Sequence, residues 1–438
     1  MLQAVINAFK IPDLRRKILF TLAMLVIFRF IASIPLPNVD RAGLQDYVAD
    51  NQLLSMLNVF SGSALANFSI AALGVYPYIT ASIIMQLMTP IVPRLNELSQ
   101  EGEQGRNKIN KYTHYLTIPL ALLQGYGQAL LFSRQPSPSG GTLVEGFGLF
   151  NSGTFLPTVA ILASMVAGTM VLVWMGELIT EMGIGNGISI IIFGGIIASM
   201  PGAVRTLVSG ASLGTNIIGT LVFLAIGLVT IIGIVKINEG QRRIPVQYAK
   251  RIRSGQVYGG STTHIPLKVN SAGMIPLIFA VSIMVFPGLV ANFLSASNTD
   301  WVRNLATELT VWLSPLSLPY NIIFFLMVVG FTFFYTMVVF QQQRIPESLQ
   351  RQGAFIPGVR PGRNTSGFLQ RVLSRITIVG AVFLGIVAVL PAVAAWITGV
   401  DTLLLGSTSL LIVVGVAIDT MRQLEAQLMM RNYEGFIN

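Results

Sequence analysis

The chain has 438 residues, 53% hydrophobic and 11% charged, with a formal net charge of +10. Soluble domains carry about 25% charged residues, so this composition describes a membrane protein. Cysteine is absent, which excludes disulfides, thiol nucleophiles and Cys-ligated metals, and no G-x-x-x-x-G-K-S/T run supplies a phosphate loop for nucleotide hydrolysis.

A helix crossing the hydrocarbon core needs about 20 residues. Apolar stretches of that kind fall near 16–35, 67–92, 114–133, 155–176, 184–201, 215–236, 272–294, 318–340, 372–396 and 402–421. Ten spans place both termini on one side. The first run is long enough to span, so no cleavable leader is expected. The stretch from Asn58 to Pro93 is a poor continuous helix, because Gly62, Gly74 and Pro77 interrupt it and Ser61, Ser63, Asn67 and Ser69 pepper its first half. Irregular backbone is tolerated at membrane depth only where protein or water surrounds it. The pattern predicts a half-helix over 61–72, a break at 74–77 and a second helix over 76–92. The fifth span carries Gly185, Gly187, Gly194 and Gly195, which suits close helix packing.

Lys and Arg set the orientation. Of the 28, 23 lie on the side of the termini, four on the other, and Arg29 lies within a span. The positive-inside rule then places the termini and the two large loops, 238–270 and 341–370, in the cytoplasm. The first loop alternates over Arg243–Tyr248 and carries Gly255, Gly259 and Gly260, as a hairpin-like protrusion would. The second is rich in Pro, Gly and polar residues, and neither is apolar enough for a separate domain. Arg29, at roughly 2.5–3.5 kcal/mol on insertion scales, is expected to snorkel or to bond carbonyls at a helix break. His114 and His264 each stand alone on a membrane edge or loop, without a catalytic or metal role. No Asp or Glu lies deep in a span, as a proton-coupled carrier would require.

Gly-Val-Tyr-Pro-Tyr-Ile at 74–79 echoes Gly-Met-Ile-Pro-Leu-Ile at 273–278, and Ser-Ile-Ile-Ile at 189–192 echoes Ser-Leu-Leu-Ile at 409–412. Broken helices in corresponding positions of two halves point to a central path. The expected fold is an all-α membrane protein of ten transmembrane helices in two five-helix inverted-repeat halves, 1–205 and 206–438. Two function classes share these features: a passive channel, and a secondary transporter of a small solute. The lack of buried acids and the two basic loops favour the channel.

ALGVYPYITASIIMQL, GEQGRNKINKYT at 102–113, GIGNGISIII at 183–192, GQRRIPVQYAKR at 240–251, HIPLKVNSAGMIP at 264–276 and GAFIPGVRPG at 353–362 resemble SecY, the large subunit of the bacterial protein-conducting channel. The likeness runs from about residue 10 to about residue 435. It implies an hourglass pore that is not an enzyme and needs no cofactor, in the bacterial cytoplasmic membrane. Unfolded secretory proteins would pass through it and membrane segments would leave sideways into lipid. An aliphatic constriction suits that task because it binds no sequence strongly and resists wetting when empty. The resemblance assigns it to Val75, Ile79, Ile192, Ile278 and Ile412.

By the same resemblance, residues 60–72 are a plug. Ser61, Gly62, Ser63, Ala64, Ala66 and Asn67 are small or polar, as expected of a segment that seats and leaves without large burial energy. The helices near 76–92 and 272–294 would form a lateral gate, with Thr80, Gln86, Gln124 and Pro276 as its candidate residues. Arg242, Arg243, Lys250, Arg251, Arg253, Arg360 and Arg363 would dock the SecA ATPase or the ribosome, whose acidic motif or RNA phosphates suit a basic surface. SecE and SecG are the implied membrane partners.

Overall fold

The computed structural model describes residues 9–138, 140–148, 152–212, 217–248, 251–253, 256–258, 262–295, 299–398 and 404–434. Two compact units partition the chain. Unit 1 comprises Met1–Ile226, Val281–Ile322 and Pro391–Asn438, and unit 2 comprises Gly227–Ala280 and Ile323–Leu390.

In unit 1, α1 (Pro12–Ser33) opens on proline and stops at Ile34, whose extended backbone suits the residue before Pro35. Asp40 caps α2 (Arg41–Asp50), its Oδ1 accepting from the N–H groups of Ala42 and Gly43 at 3.2 and 3.4 Å. Next come α3 (Gln52–Phe60), α4 (Tyr76–Met88), α5 (Pro93–Gln100), α6 (Glu103–Ser133), α7 (Ser152–Met182), α8 (Gly187–Ser212) and α9 (Ile217–Glu239), which crosses into unit 2. α4 packs on α6, α6 on α7, and α7 on α8; α8 also packs on the C-terminal helix α15 (Leu404–Glu434). Leu44, Leu65, Phe68, Ala121, Phe132 and Met165 are among the core residues that join α2, α6, α7 and the segment after α3.

That segment corrects one expectation. Residues 61–75 form a succession of turns rather than a half-helix. The backbone takes positive φ at Gly62, Ser63, Phe68 and Gly74, and side chains capture the N–H groups a helix would use. Ser61 Oγ accepts from Leu65 N at 3.1 Å, and Asn58 Oδ1 accepts from Ala66 N at 2.9 Å. Such local bonds compete directly with the helical ladder. The break at Gly74 and the proline start of α4 are as expected, but α4 ends at Met88 and a turn leads into α5.

Unit 2 holds a three-stranded antiparallel sheet of order β4-β1-β5. β1 (Gln241–Tyr248) pairs with β4 (Thr262–Lys268) from Gln241↔Lys268 to Gln247↔Thr262. β5 (Ala354–Phe355) adds to the free edge of β1 through Gln247↔Phe355 and Tyr248↔Ala354. β2 (Arg251–Arg253) and β3 (Gln256–Tyr258) form a separate hairpin. The two basic loops therefore meet, and Ile244, Val246, Leu267, Leu349, Ala354 and Ile356 bury a common core with the ends of the neighbouring helices. Each loop was expected to be too polar for a core of its own. Pooling their apolar residues removes that limit.

The remaining helices are α10 (Ile275–Ser295), α11 (Asp300–Trp312), α12 (Leu318–Gln343), α13 (Ile345–Arg351) and α14 (Arg363–Thr398). Among the described residues, three helices are long and apolar enough to cross a membrane: Gly153–Met182, Leu318–Arg351 and Arg363–Ile397. Each coincides with an expected span. Gly187–Gly202 and Ile275–Val285 are shorter apolar helices on two further ones.

Candidate functional site

Three of the five candidate constriction residues lie on helices of unit 1, and Val75 just precedes α4. Ile79 is on α4, Ile192 on α8 and Ile412 on α15. Val75, Ile79, Ile192 and Ile412 are all buried, Ile412 completely. The packing of α8 on α15 brings together the helices that carry Ile192 and Ile412. Ile278, in the first turn of α10, is half-buried and belongs to unit 2.

The candidate plug residues are not a small, weakly held set. Ser61, Gly62 and Ala64 are buried and Ser63, Ala66 and Asn67 partly so, but Leu65 and Phe68 beside them are fully buried. The Phe68 ring meets Phe132 edge-on with centroids 5.4 Å apart. The following backbone is tied to the end of α1, with Leu36 N donating to Phe68 O at 2.9 Å and Ile70 N donating to Ile34 O at 3.1 Å. Gln45 of α2 donates to Asn67 Oδ1 at 3.2 Å. The expectation of low burial energy is thus overturned. Composition counted the small residues and missed the two large ones that anchor the segment.

Gly62 combines a left-handed backbone with a close approach. Its φ is +68°, and a Cβ there would stand 2.8 Å from the Cα of Gly195. Arg29, the charge within the first expected span, donates from Nη1 to the Gly62 carbonyl, as expected of a cation bonding a broken helix. Gly62→Ala is expected to lower stability by upward of about 2 kcal/mol, since it meets both the left-handed penalty and a backbone clash. Thermal melting of the purified complex measures this, with Gly127→Ala, which has open space around it, as the control.

The gate candidates divide. Thr80 Oγ1 donates to Tyr76 O in its own helix at 3.1 Å, so its hydroxyl is already satisfied. Gln86 donates to Ser82 Oγ at 3.1 Å, while Gln86 Oε1 and Gln124 Oε1 are buried without a hydrogen-bond partner. Pro276 is buried in the first turn of α10. The link that sequence reasoning missed is Tyr76, whose hydroxyl donates to the Ser282 carbonyl of α10. A signal existed: the echo G-x-x-P-x-I has Tyr76 where its second copy has Ile275.

Of the basic candidates, Arg242, Arg243, Arg360 and Arg363 are exposed. Arg251 and Arg253 lie on β2, and Lys250 falls outside the described residues. Gly358 and Gly362, with φ of +81° and +97°, turn the backbone on either side of Arg360. Thr365 Oγ1 donates to the Arg360 carbonyl at 2.9 Å, pinning the loop to the start of α14. His264 is exposed on β4. His114 is not alone, as was expected: its Nε2 lies 2.9 Å from Glu177 Oε1 across the α6–α7 contact, and its ring is 5.8 Å from that of Tyr78. Among the described residues no cluster of three or more His, Asp or Glu could hold a metal ion.

Apolar helices long enough to cross a membrane, beside a buried run of turns leading into a proline-started helix, define a helical membrane protein. The comparisons agree. The SecY family profile matches residues 69–421, and the protein translocase subunit SecY of Streptomyces galbus is 43% identical over 442 aligned positions, with 100% of both chains covered. The chain belongs to the SecY family. Its function follows from that membership: it is a subunit of the protein translocase, a protein-conducting membrane channel component that is not an enzyme. Two solved structures share the fold. One is a translocation channel in which the SecY plug domain stabilises the closed state and maintains a membrane seal, with TM-score 0.61, 18% identity and 96% of each chain covered. The other is Sec61 in a canine ribosome–channel complex from the endoplasmic reticulum, with TM-score 0.59, 16% identity and the same coverage.

Proposed function

We propose that this chain forms a passive pore for unfolded polypeptide, with Val75, Ile79, Ile192, Ile278 and Ile412 as its constriction and residues 60–72 as its plug. Ten spans would form two inverted halves, 1–205 and 206–438, with both termini in the cytoplasm of a bacterial cell. The observation that carries the reading is the anchored turn segment 61–75, which ends at the buried Val75 and leads into Ile79. A plug needs such a seat directly beside the constriction it closes.

The exposed arginines of unit 2 form the docking surface for the SecA ATPase or the ribosome, and SecE and SecG brace the channel in the membrane. Support comes from the ribosome-bound state of the canine relative and from the fit of a basic surface to RNA phosphate or acidic protein. Proteoliposomes holding the complex, supplied with SecA and ATP, test this by uptake of an unfolded secretory precursor. Absence of uptake by a folded, assembled complex rejects it.

The lateral gate runs along α4 and α10, with Tyr76–Ser282 as its latch. Loss of one such hydrogen bond is worth about 1 kcal/mol, or roughly fivefold in the open-to-closed ratio. Tyr76→Phe is therefore expected to raise the idle ion conductance several-fold in planar bilayers. Conductance equal to the parent's, with normal folding, removes the latch role.

A further inference from the structure

α11 presents three strips of different character along its length. Val302, Ala306 and Thr310, at four-residue spacing, turn toward the protein: Ala306 is buried and the other two are half-buried. Trp301, Leu305, Leu309 and Trp312 share the next strip round the helix and are between 43% and 72% exposed. From Trp301 to Trp312 is about 16 Å along the axis, with a tryptophan at each end. The far side is polar, with Asp300, Arg303, Asn304 and Thr307 exposed, and Arg303 Nη2 pairs with Asp300 Oδ1 at 2.6 Å. Four large apolar side chains in one exposed row call for a cover.

The connection to α12 fixes the level of this row. Only residues 313–317 separate Trp312 from Leu318, where a membrane-crossing helix starts. Asn321 of α12 donates from Nδ2 to the carbonyls of Pro315 and Ser317, each at 2.9 Å. Trp396, at the end of the crossing helix Arg363–Ile397, donates from Nε1 to the Leu316 carbonyl at 3.1 Å. Three consecutive carbonyls are thus held by the ends of two crossing helices, which puts the C-terminal end of α11 at the membrane boundary. α11, this turn and Trp396 all belong to unit 1. Three of the chain's four tryptophans, Trp301, Trp312 and Trp396, lie on these elements. Indole rings favour headgroup level, where an apolar body and a polar N–H are both accommodated. Leu318 and Ile322 are exposed on the first turns of α12, as a lipid-facing surface requires.

We propose that α11 lies in the membrane–water interface beside the head of α12, with Trp301, Leu305, Leu309 and Trp312 inserted about 5–10 Å into the boundary between headgroups and acyl chains. The occupant of the row is the bilayer surface itself, not a bound lipid molecule. Charge does not draw the helix there: Asp300 answers Arg303, and Glu308 leaves α11 net acidic, so zwitterionic lipid suffices. A second copy of the chain or a membrane partner would also cover an apolar row. Neither calls for tryptophan at both of its ends. The inference rests on the channel reading only for the side of the membrane, which the topology proposed above makes the outer face. α11 follows α10 closely in the chain, so it also fixes the depth at which that proposed gate helix ends.

The chain contains no cysteine, so a single introduced cysteine carries a nitroxide label without background from this subunit. Leu305→Cys, Leu309→Cys and Thr307→Cys, the last on the polar side, are each placed in the intact translocase complex in phosphatidylcholine nanodiscs. Collision of each label with oxygen, which concentrates in lipid, is compared with collision with a water-soluble nickel chelate. The labels at Leu305 and Leu309 are expected to favour oxygen several-fold, and the label at Thr307 to favour nickel. Nanodiscs leave both faces open to the chelate, so failure of the proposed orientation or of transport does not alter this result. Equal access of nickel to all three labels would overturn the proposal, because the row would then stand in water. Exclusion of both reagents from the Leu305 and Leu309 labels would overturn it in favour of a protein cover. A pattern present in phosphatidylglycerol but absent from phosphatidylcholine would overturn it as well, since charge would then be what holds the helix.

Discussion

Arg360→Glu is expected to remove most SecA-driven translocation while leaving expression, partner assembly and melting temperature near the parental values. The side chain is exposed, and changes at ordinary surface charges stay within about 0.5 kcal/mol of stability. Its mount is unusual for a loop. Pro357 and Pro361 restrict the backbone, two left-handed glycines turn it, and the Thr365 hydroxyl holds the Arg360 carbonyl. A residue presented this way loses little conformational freedom on docking, so its contact energy is realised in full. Charge reversal replaces that gain with repulsion. Precursor uptake into proteoliposomes and a thermal melt of the same preparation measure the two halves of the expectation. Parental uptake reduces Arg360 to a topology charge.

The second large effect is expected from replacing Ile79 and Ile278 together with Asn. The two residues occupy equivalent places in the echoed motifs, and Ile79 is buried in the first turn of α4, just after the proposed plug in the chain. An aliphatic constriction excludes ions because the narrow empty path resists wetting. Two amides supply hydrogen bonds for water there and let it enter. Idle conductance in planar bilayers should rise by an order of magnitude or more, roughly the consequence of lowering a barrier by 1.4 kcal/mol or more. Conductance unchanged from the parent, in a complex that assembles normally, returns both residues to ordinary packing.

Much of this was legible in the sequence because it depends on short-range chemistry. Gly74 and Pro77 marked the helix break, apolar runs marked the helices that carry the constriction residues, and alternation over 243–248 marked β1. What escaped depends on partners distant in the chain or on single side chains. The pairing of β5 with β1 unites two loops separated by three helices, and no local pattern encodes it. The turns at 61–75 arise because Asn58 and Ser61 divert backbone N–H groups, which a hydropathy window cannot register. His114 looked isolated because Glu177 lies on a different helix.

For the plug proposed above, the anchoring of Leu65 and Phe68 sets how an idle channel divides its time. Burying each of two such side chains contributes about 1.5–3 kcal/mol, together about 3–6 kcal/mol. A plug that must withdraw both to clear the pore then stands open for only about 10⁻² to 10⁻⁴ of the time. Idle copies can accumulate in a membrane without short-circuiting its ion gradients. An entering polypeptide, in contrast, arrives with apolar surface of its own and can compensate for the contacts that Leu65 and Phe68 give up. Leak would then be governed less by the width of the pore than by how rarely two side chains leave their seats.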